Sequence, residues 1–390
     1  MLVYSLCSGA GSGSPFRQEI ASTSHRVGRD DEMPDSSTKF HRAEMLFVPV
    51  AVPVIVRAID RLRGGDTFEA DVRCSDHSAR SADGTRIHYS ICGEGDRVVF
   101  FVHGWTCNST IFRYQQECFS PEYKIVSLDL RGHGMSGVPE SLDYHPDRLA
   151  EDLKCVIDAV GPAEFVIAGH SLGGFTTFKF FEHYAEEYKG ALKGLAIIDS
   201  TGTDLVDGIV MGEVVSRVYP RPLAALMKAV GRNSRFSETL LRLFSETSTA
   251  YLVVRLAAFG RKPHCDQVEK MTDMIFSTPI SSVSLAAKAC LDFHFEYFLE
   301  NVDLPVIVMV GDRDKLTNIE VNVRTAELLP DARLVVFEGA GHCAMMEQHD
   351  GFNDELGEFL HQVLPVGKPT GPATKKPAKK KARPKKAVGG

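Results

Sequence analysis

Ser171 stands in Gly169-His170-Ser171-Leu172-Gly173, a G-x-S-x-G pattern. The apolar run 164–168 precedes it and a helical pattern over 172–188 follows, so the serine falls on a tight strand-to-helix turn. Small neighbours allow that turn, and the turn pushes the hydroxyl outward. A serine hydroxyl is a poor nucleophile until a base takes its proton. His342 can be that base: it ends Gly339-Ala340-Gly341-His342, just past the run 333–337. A base of this kind needs a carboxylate to orient it. Asp314, in Gly311-Asp312-Arg313-Asp314 after the run 304–310, fits that place. Two other acids compete with it, Asp312 close by, which is better suited to capping the loop, and Asp199 at the end of the run 192–198. His349 is the nearest rival base, but it lacks a glycine-rich turn. The tetrahedral intermediate of such an acyl transfer needs two donors for its oxyanion. Leu172, the residue after the nucleophile, offers one backbone N–H, and Trp105, after the His103-Gly104 turn, offers the other. His103, His133 and His170 read as structural, and Cys107 and Cys343 as buried residues flanking the site.

These residues must be carried by strands and loops. Short apolar runs at 97–102, 123–130, 164–168, 192–198, 304–310 and 333–337 each end in a polar or glycine-rich turn. Near-continuous apolar runs are typical of parallel strands buried on both faces. Helical patterns such as 146–160 and 172–188 fall between them. The fold class is therefore α/β, a mostly parallel central sheet with helices on both faces. In such sheets the chemistry gathers at the carboxyl ends of the strands, where the polar motifs lie. Residues 203–300 break the rhythm with helices alone, an inserted cap over the site rich in apolar residues such as Met211, Phe236, Leu240, Leu243, Phe244, Phe259, Met271, Met274 and Phe276. A few of these should line an apolar pocket.

The hydrolytic body, residues 80–365, is flanked by segments of different character. Residues 1–44 are rich in Ser, Gly and charge and read as disordered, with Met45 an alternative start. Residues 45–79 form a hydrophobic arm and leading segment. Within it 45–56 carries no charge but includes Pro49 and Pro53, so it reads as a broken apolar arm, packed on the domain or touching a membrane shallowly. Residues 366–390 form a basic, disordered tail with nine Lys or Arg and no acid; the chain's −7 less the tail's +9 leaves about −16 on the remainder. An acidic body is a poor partner for nucleic acid, whereas the tail could add peripheral membrane contact. Nine cysteines without a C-x-x-C pair read as reduced thiols in a cytoplasm, and no metal site is expected.

Five ordered motifs, F-V-H-G-W, D-L-R-G-H-G-M-S, G-H-S-L-G-G, G-D-R-D and G-A-G-H, together resemble the α/β-hydrolase superfamily in its esterase/lipase-like branch over roughly residues 80–365. The resemblance implies a Ser-His-Asp triad in that chain order, a cap, and no cofactor. It leads to cleavage of a small or medium, largely apolar carboxylic ester through an acyl-enzyme on Ser171. Thioester or lipid hydrolysis, acyl transfer to another acceptor, perhydrolase-like activity and a non-catalytic binding scaffold are the alternatives. Dehalogenases and epoxide hydrolases of the superfamily use an aspartate nucleophile, which Ser171 argues against.

Overall fold

The computed structural model describes residues 2–6, 44–63, 72–203, 246–291, 293 and 295–365. The strands are β1 (Leu2–Leu6), β2 (Cys74–Arg80), β3 (Arg86–Cys92), β4 (Arg97–Val102), β5 (Lys124–Leu128), β6 (Glu164–His170), β7 (Leu192–Ile198), β8 (Val306–Gly311) and β9 (Ala332–Phe337). They form one sheet in the order β1-β9-β8-β7-β6-β4-β5-β3-β2. Pairing is parallel from β9 through β8, β7, β6 and β4 to β5, and antiparallel for β1 on β9, β3 on β5 and β2 on β3.

The strand sequences explain why the parallel strands lie in the middle. In β4, Val98, Phe100 and Val102 face one core while Val99 and Phe101 face the other. The same alternation holds for Phe165 and Ile167 against Val166 and Ala168 in β6. A strand with no polar face must be covered on both sides. On one side lie α3 (Pro146–Val160), α4 (Leu172–Tyr184) and α9 (Ile319–Leu328), through residues such as Leu149, Phe178 and Ala326. On the other lie α2 (Arg113–Phe119), the single turn α10 (Ala344–Glu347) and α11 (His349–Val363), through Phe119, Met345 and Leu356.

Between β7 and β8 the described chain is helical: α5 (Ser248–Ala258), α6 (Cys265–Ser277), α7 (Ile280–Leu291) and α8 (Glu296–Leu299). Of the cap residues expected to be apolar packing, Phe259, Met271 and Met274 are buried. Met211, Phe236, Leu240, Leu243 and Phe244 lie outside the described residues, as do 7–43 and the tail 366–390.

Three expectations are corrected. Leu2–Leu6, placed by composition in a disordered segment, pairs with β9 from Leu2↔Val336 to Leu6↔Ala332. Its Leu-Val-Tyr start favours strand, and β9 would otherwise be an open edge. The proline-broken arm is instead one helix, α1 (Glu44–Arg63), running through Pro49 and Pro53. Proline removes a backbone bond, but packing holds a helix more strongly than propensity does. Here Asp60 accepts from the Tyr251 hydroxyl at 2.9 Å and from Arg255 Nε at 3.1 Å on α5, and Arg57 pairs with Glu269 on α6 at 2.8 Å. Finally, Cys74 and Cys92 are not reduced thiols. They face each other across the β2–β3 ladder with Cα atoms 4.3 Å apart and form a disulfide. Strand register creates that pair, and no short cysteine spacing announces it.

Candidate active site

β6 delivers Gly169 and His170, and the chain turns sharply at Ser171 into α4. Ser171 has φ 52° and ψ −118°, a conformation that a residue with a side chain rarely adopts. The turn is so close that a Cβ on Gly173 would lie 2.0 Å from the Val102 carbonyl oxygen. Surrounding bonds fix the strained residue: its amide donates to the Ile198 carbonyl at 3.0 Å, and the Ser200 hydroxyl donates to its carbonyl at 2.8 Å.

The loop between β9 and α10 carries His342, which is 5% exposed. Its Nδ1 lies 2.8 Å from Asp314 Oδ2, on the loop after β8. Asp314 is held in turn by the amides of Leu316 (2.8 Å) and Thr317 (3.0 Å) and by the Thr317 hydroxyl (2.7 Å). A carboxylate so surrounded accepts, so Nδ1 carries the proton and Nε2 is the basic nitrogen. His170 Nε2 donates to the His342 carbonyl at 2.8 Å, and the two rings are 4.9 Å apart. The residue before Ser171 thus anchors the loop of His342. Burial drives the His170 pKa well below the ordinary histidine value, so it stays a neutral donor.

The other candidate acids are placed differently. Asp199, fully buried at φ 41°, accepts from the amides of Gly311 (2.9 Å) and Ala344 (3.1 Å), which tie the end of β7 to the loops of Asp314 and His342. Burial first, and repulsion by Asp314 second, raise its pKa. Asp312 accepts from the Gly339 amide at 2.5 Å and braces the histidine loop. His349 stacks on Tyr114 at 4.0 Å, at the head of α11.

Burial opposes a charge on His342, but attraction to Asp314, their hydrogen bond and the field of Asp199 outweigh it and raise the pKa above 6.5. A base works only when neutral, so kcat/KM should be full above that raised pKa and fall about tenfold per pH unit below it. The midpoint of this acid limb is expected above 6.5. In Asp314→Asn it should move to lower pH, and a pH profile with a nitrophenyl ester at subsaturating concentration checks both.

The loop after β4 completes the rim. His103 Nε2 accepts the Leu130 amide at 2.9 Å while Nδ1 donates to the Gly104 carbonyl at 2.8 Å, which pins the loop to the chain after β5. A Cβ on Gly104 would come within 2.9 Å of the Ser171 Cβ, so the loop runs directly beside Ser171. Trp105 follows, its indole donating to the Val283 carbonyl of α7 at 2.9 Å. Leu172 is the first residue of α4, and an amide there has no acceptor within its helix. Asp129 supports the rim from below, accepting from the Ser109 amide (2.7 Å), the Met135 amide (2.9 Å) and His88 Nδ1 (2.8 Å). Burial would raise its pKa, but the His88 hydrogen bond and its other partners hold it down to about 2. Cys107 is buried, which pushes its thiol up to about 12.

The cap touches this rim. Cys107 Sγ lies 3.7 Å from Met271 Sδ, and the Thr278 hydroxyl donates to the Thr106 carbonyl at 3.3 Å. A residue without a motif joins the cap to the His342 loop: Glu347 accepts the Gly341 amide at 2.6 Å and the Gly260 amide at 2.9 Å. Arg255 Nη1 donates to the Gly260 carbonyl at 2.9 Å from the other side. The only hint in the sequence is a carboxylate after the apolar run Ala344-Met345-Met346. Among the described residues no cluster of three His, Cys, Asp or Glu could hold a metal ion.

This geometry has relatives. A family model described as alpha/beta hydrolase fold matches residues 97–348. The pimeloyl-[acyl-carrier protein] methyl ester esterase of Aliivibrio fischeri is 26% identical over 71% of this chain and 98% of its own. The non-heme chloroperoxidase CPO-A1 of Kitasatospora aureofaciens is 26% identical over 72% of this chain and 98% of its own. Among solved structures, that of a putative aryl esterase from Burkholderia cenocepacia superposes with TM-score 0.61 at 20% identity, covering 74% of this chain and 99% of that one. The chain belongs to the alpha/beta hydrolase fold family, and it is an enzyme of the hydrolase kind.

Proposed function

We propose that the protein hydrolyses carboxylic esters with an apolar acyl group, using Ser171 as nucleophile, His342 as base and Asp314 as orienting acid. Ser171 Oγ attacks the ester carbonyl as its proton passes to His342 Nε2. The resulting oxyanion lies against the amides of Trp105 and Leu172. Collapse breaks the bond to the alkoxy group, which takes the proton from His342 and leaves an acyl-serine. Water then attacks the acyl carbon, gives its proton to His342, and the acid departs as the proton returns to Ser171.

The observation that carries this reading is the buried His342–Asp314 couple, 2.8 Å long, on a loop held by the residue next to a strained serine. The methyl ester esterase among the relatives supports an ester as substrate. Buried Met271 and Met274 on the cap, near Cys107 and Thr110 of the rim, support an apolar acyl site. The test is a series of nitrophenyl esters with wild type beside Ser171→Ala, together with labelling by a fluorophosphonate. Butyryl-like esters should be cleaved faster than succinyl-like ones, and label should appear only when Ser171 is present. A preference for succinyl-like esters would overturn the apolar acyl site, and no labelling of the wild type would overturn the nucleophile.

A further inference from the structure

Over residues 52–63, helix α1 is largely built inside out. Its polar residues Arg57 and Asp60 turn toward the protein, where they bond to Glu269, Tyr251 and Arg255. Four of its aliphatic residues turn away, Val52 43% exposed, Ile55 55%, Ile59 44% and Leu62 87%, whereas Val56 packs on the core. Their spacings of three, four and three residues put them on one stripe of the helix. Nearby, α5 leaves Val253 and Leu256 exposed as well. A surface helix in water shows the reverse pattern, with the apolar stripe inward.

We propose that this stripe is a lipid-docking face, with α1 lying along the surface of an anionic bilayer. Among the described residues no helix is long and apolar enough to cross a membrane, so the helix lies on the bilayer and does not span it. Charge selects an anionic surface. Arg61 and Arg63, which flank Leu62, are paired with Glu269 and Asp60 at 2.8 Å, so they keep the α1 stripe's edge neutral, and the attraction comes from elsewhere in the chain. The nine basic residues after 366 supply that attraction, which the rest of the chain, at about −16, lacks. One apolar signal and one basic signal together hold a protein to a membrane far better than either alone. A second copy of the chain is a poorer occupant. A single helical stripe buries a few hundred Å² per partner, short of the roughly 800 Å² that a stable interface takes from each side. Because α1 grips the cap helices α5 and α6, docking through it turns the cap side of the molecule to the lipid.

Co-sedimentation tests this with the full chain and vesicles of phosphatidylcholine, with and without phosphatidylserine. Wild type should pellet with the mixed vesicles, less at high salt, and hardly with phosphatidylcholine alone. The double variant Ile55→Glu, Ile59→Glu should lower partitioning at least ~10-fold, while turnover of a soluble nitrophenyl ester stays unchanged. Should the acidic pair disturb folding, seen as lost turnover, Ile55→Ser with Ile59→Ser carries the same comparison. Three results would overturn the proposal: no pelleting of wild type with either vesicle, equal pelleting of wild type and a folded variant, or a lipid-free dimer that these substitutions dissociate.

Discussion

Under the proposed mechanism, ester turnover should fall by about five to six orders of magnitude in kcat when Ser171 is replaced by Ala, and by a similar factor for His342→Ala. The two losses should be alike because the proposed mechanism makes the residues act as one unit. Without the hydroxyl no acyl-enzyme forms, and without the imidazole the hydroxyl keeps its proton. The double variant should therefore be hardly slower than either single one, far from the product of the two effects. Folding should be nearly unaffected in Ser171→Ala, since the bonds that fix this residue run through its backbone. Measuring kcat with a nitrophenyl ester, alongside the thermal midpoint, checks both halves. Turnover within a hundredfold of wild type in a pure, folded Ser171→Ala preparation would remove the serine from the mechanism.

The second large effect separates two buried aspartates. Asp314→Asn should lose about four orders of magnitude in kcat, because an amide nitrogen or a neutral oxygen facing His342 Nδ1 no longer fixes the working tautomer or stabilises the imidazolium. Asp199→Asn should behave otherwise. That carboxylate spends its two oxygens on the amides of Gly311 and Ala344, so its loss is a matter of support. An amide group there can accept from one of the two but must set its own donor against the other, at a cost of about 1–3 kcal/mol in stability. The expected outcome is a lower thermal midpoint with kcat within tenfold of wild type. Kinetics and melting of the two variants side by side decide it, and a reversal of the two kinetic effects would make Asp199 the acid.

How far the sequence reaches can be followed residue by residue. The central strands were legible because β4 and β6 are apolar at nearly every position, which only a two-sided core explains. Ser171, His342 and Asp314 were legible as candidates because each follows such a strand in a glycine-bearing turn, and the structure brings the His342–Asp314 couple together at 2.8 Å. Asp312 and Asp199 could be ranked below Asp314 from position alone, but their actual partners depend on which loops lie side by side, and spacing does not carry that. The disulfide was hidden for the same reason: Cys74 and Cys92 meet through the register of a hairpin, 18 residues apart. Helix α1 was missed because two prolines outweigh a local apolar run, whereas its bonds to α5 and α6 come from residues about 200 positions away. Glu347 had no motif at all. Its meaning arises only when Gly260 and Gly341 are brought together.

That meeting has a consequence for how such an enzyme can change. A Cβ on Gly260 would lie 2.0 Å from the Gly339 carbonyl oxygen, so the cap and the His342 loop meet backbone to backbone with no room for a side chain. The cap is therefore not a detachable cassette that recombination can exchange for a new specificity. A transplanted cap must bring a glycine to the turn that Gly260 occupies between α5 and α6 and present an amide to Glu347, or the His342 loop loses its neighbour.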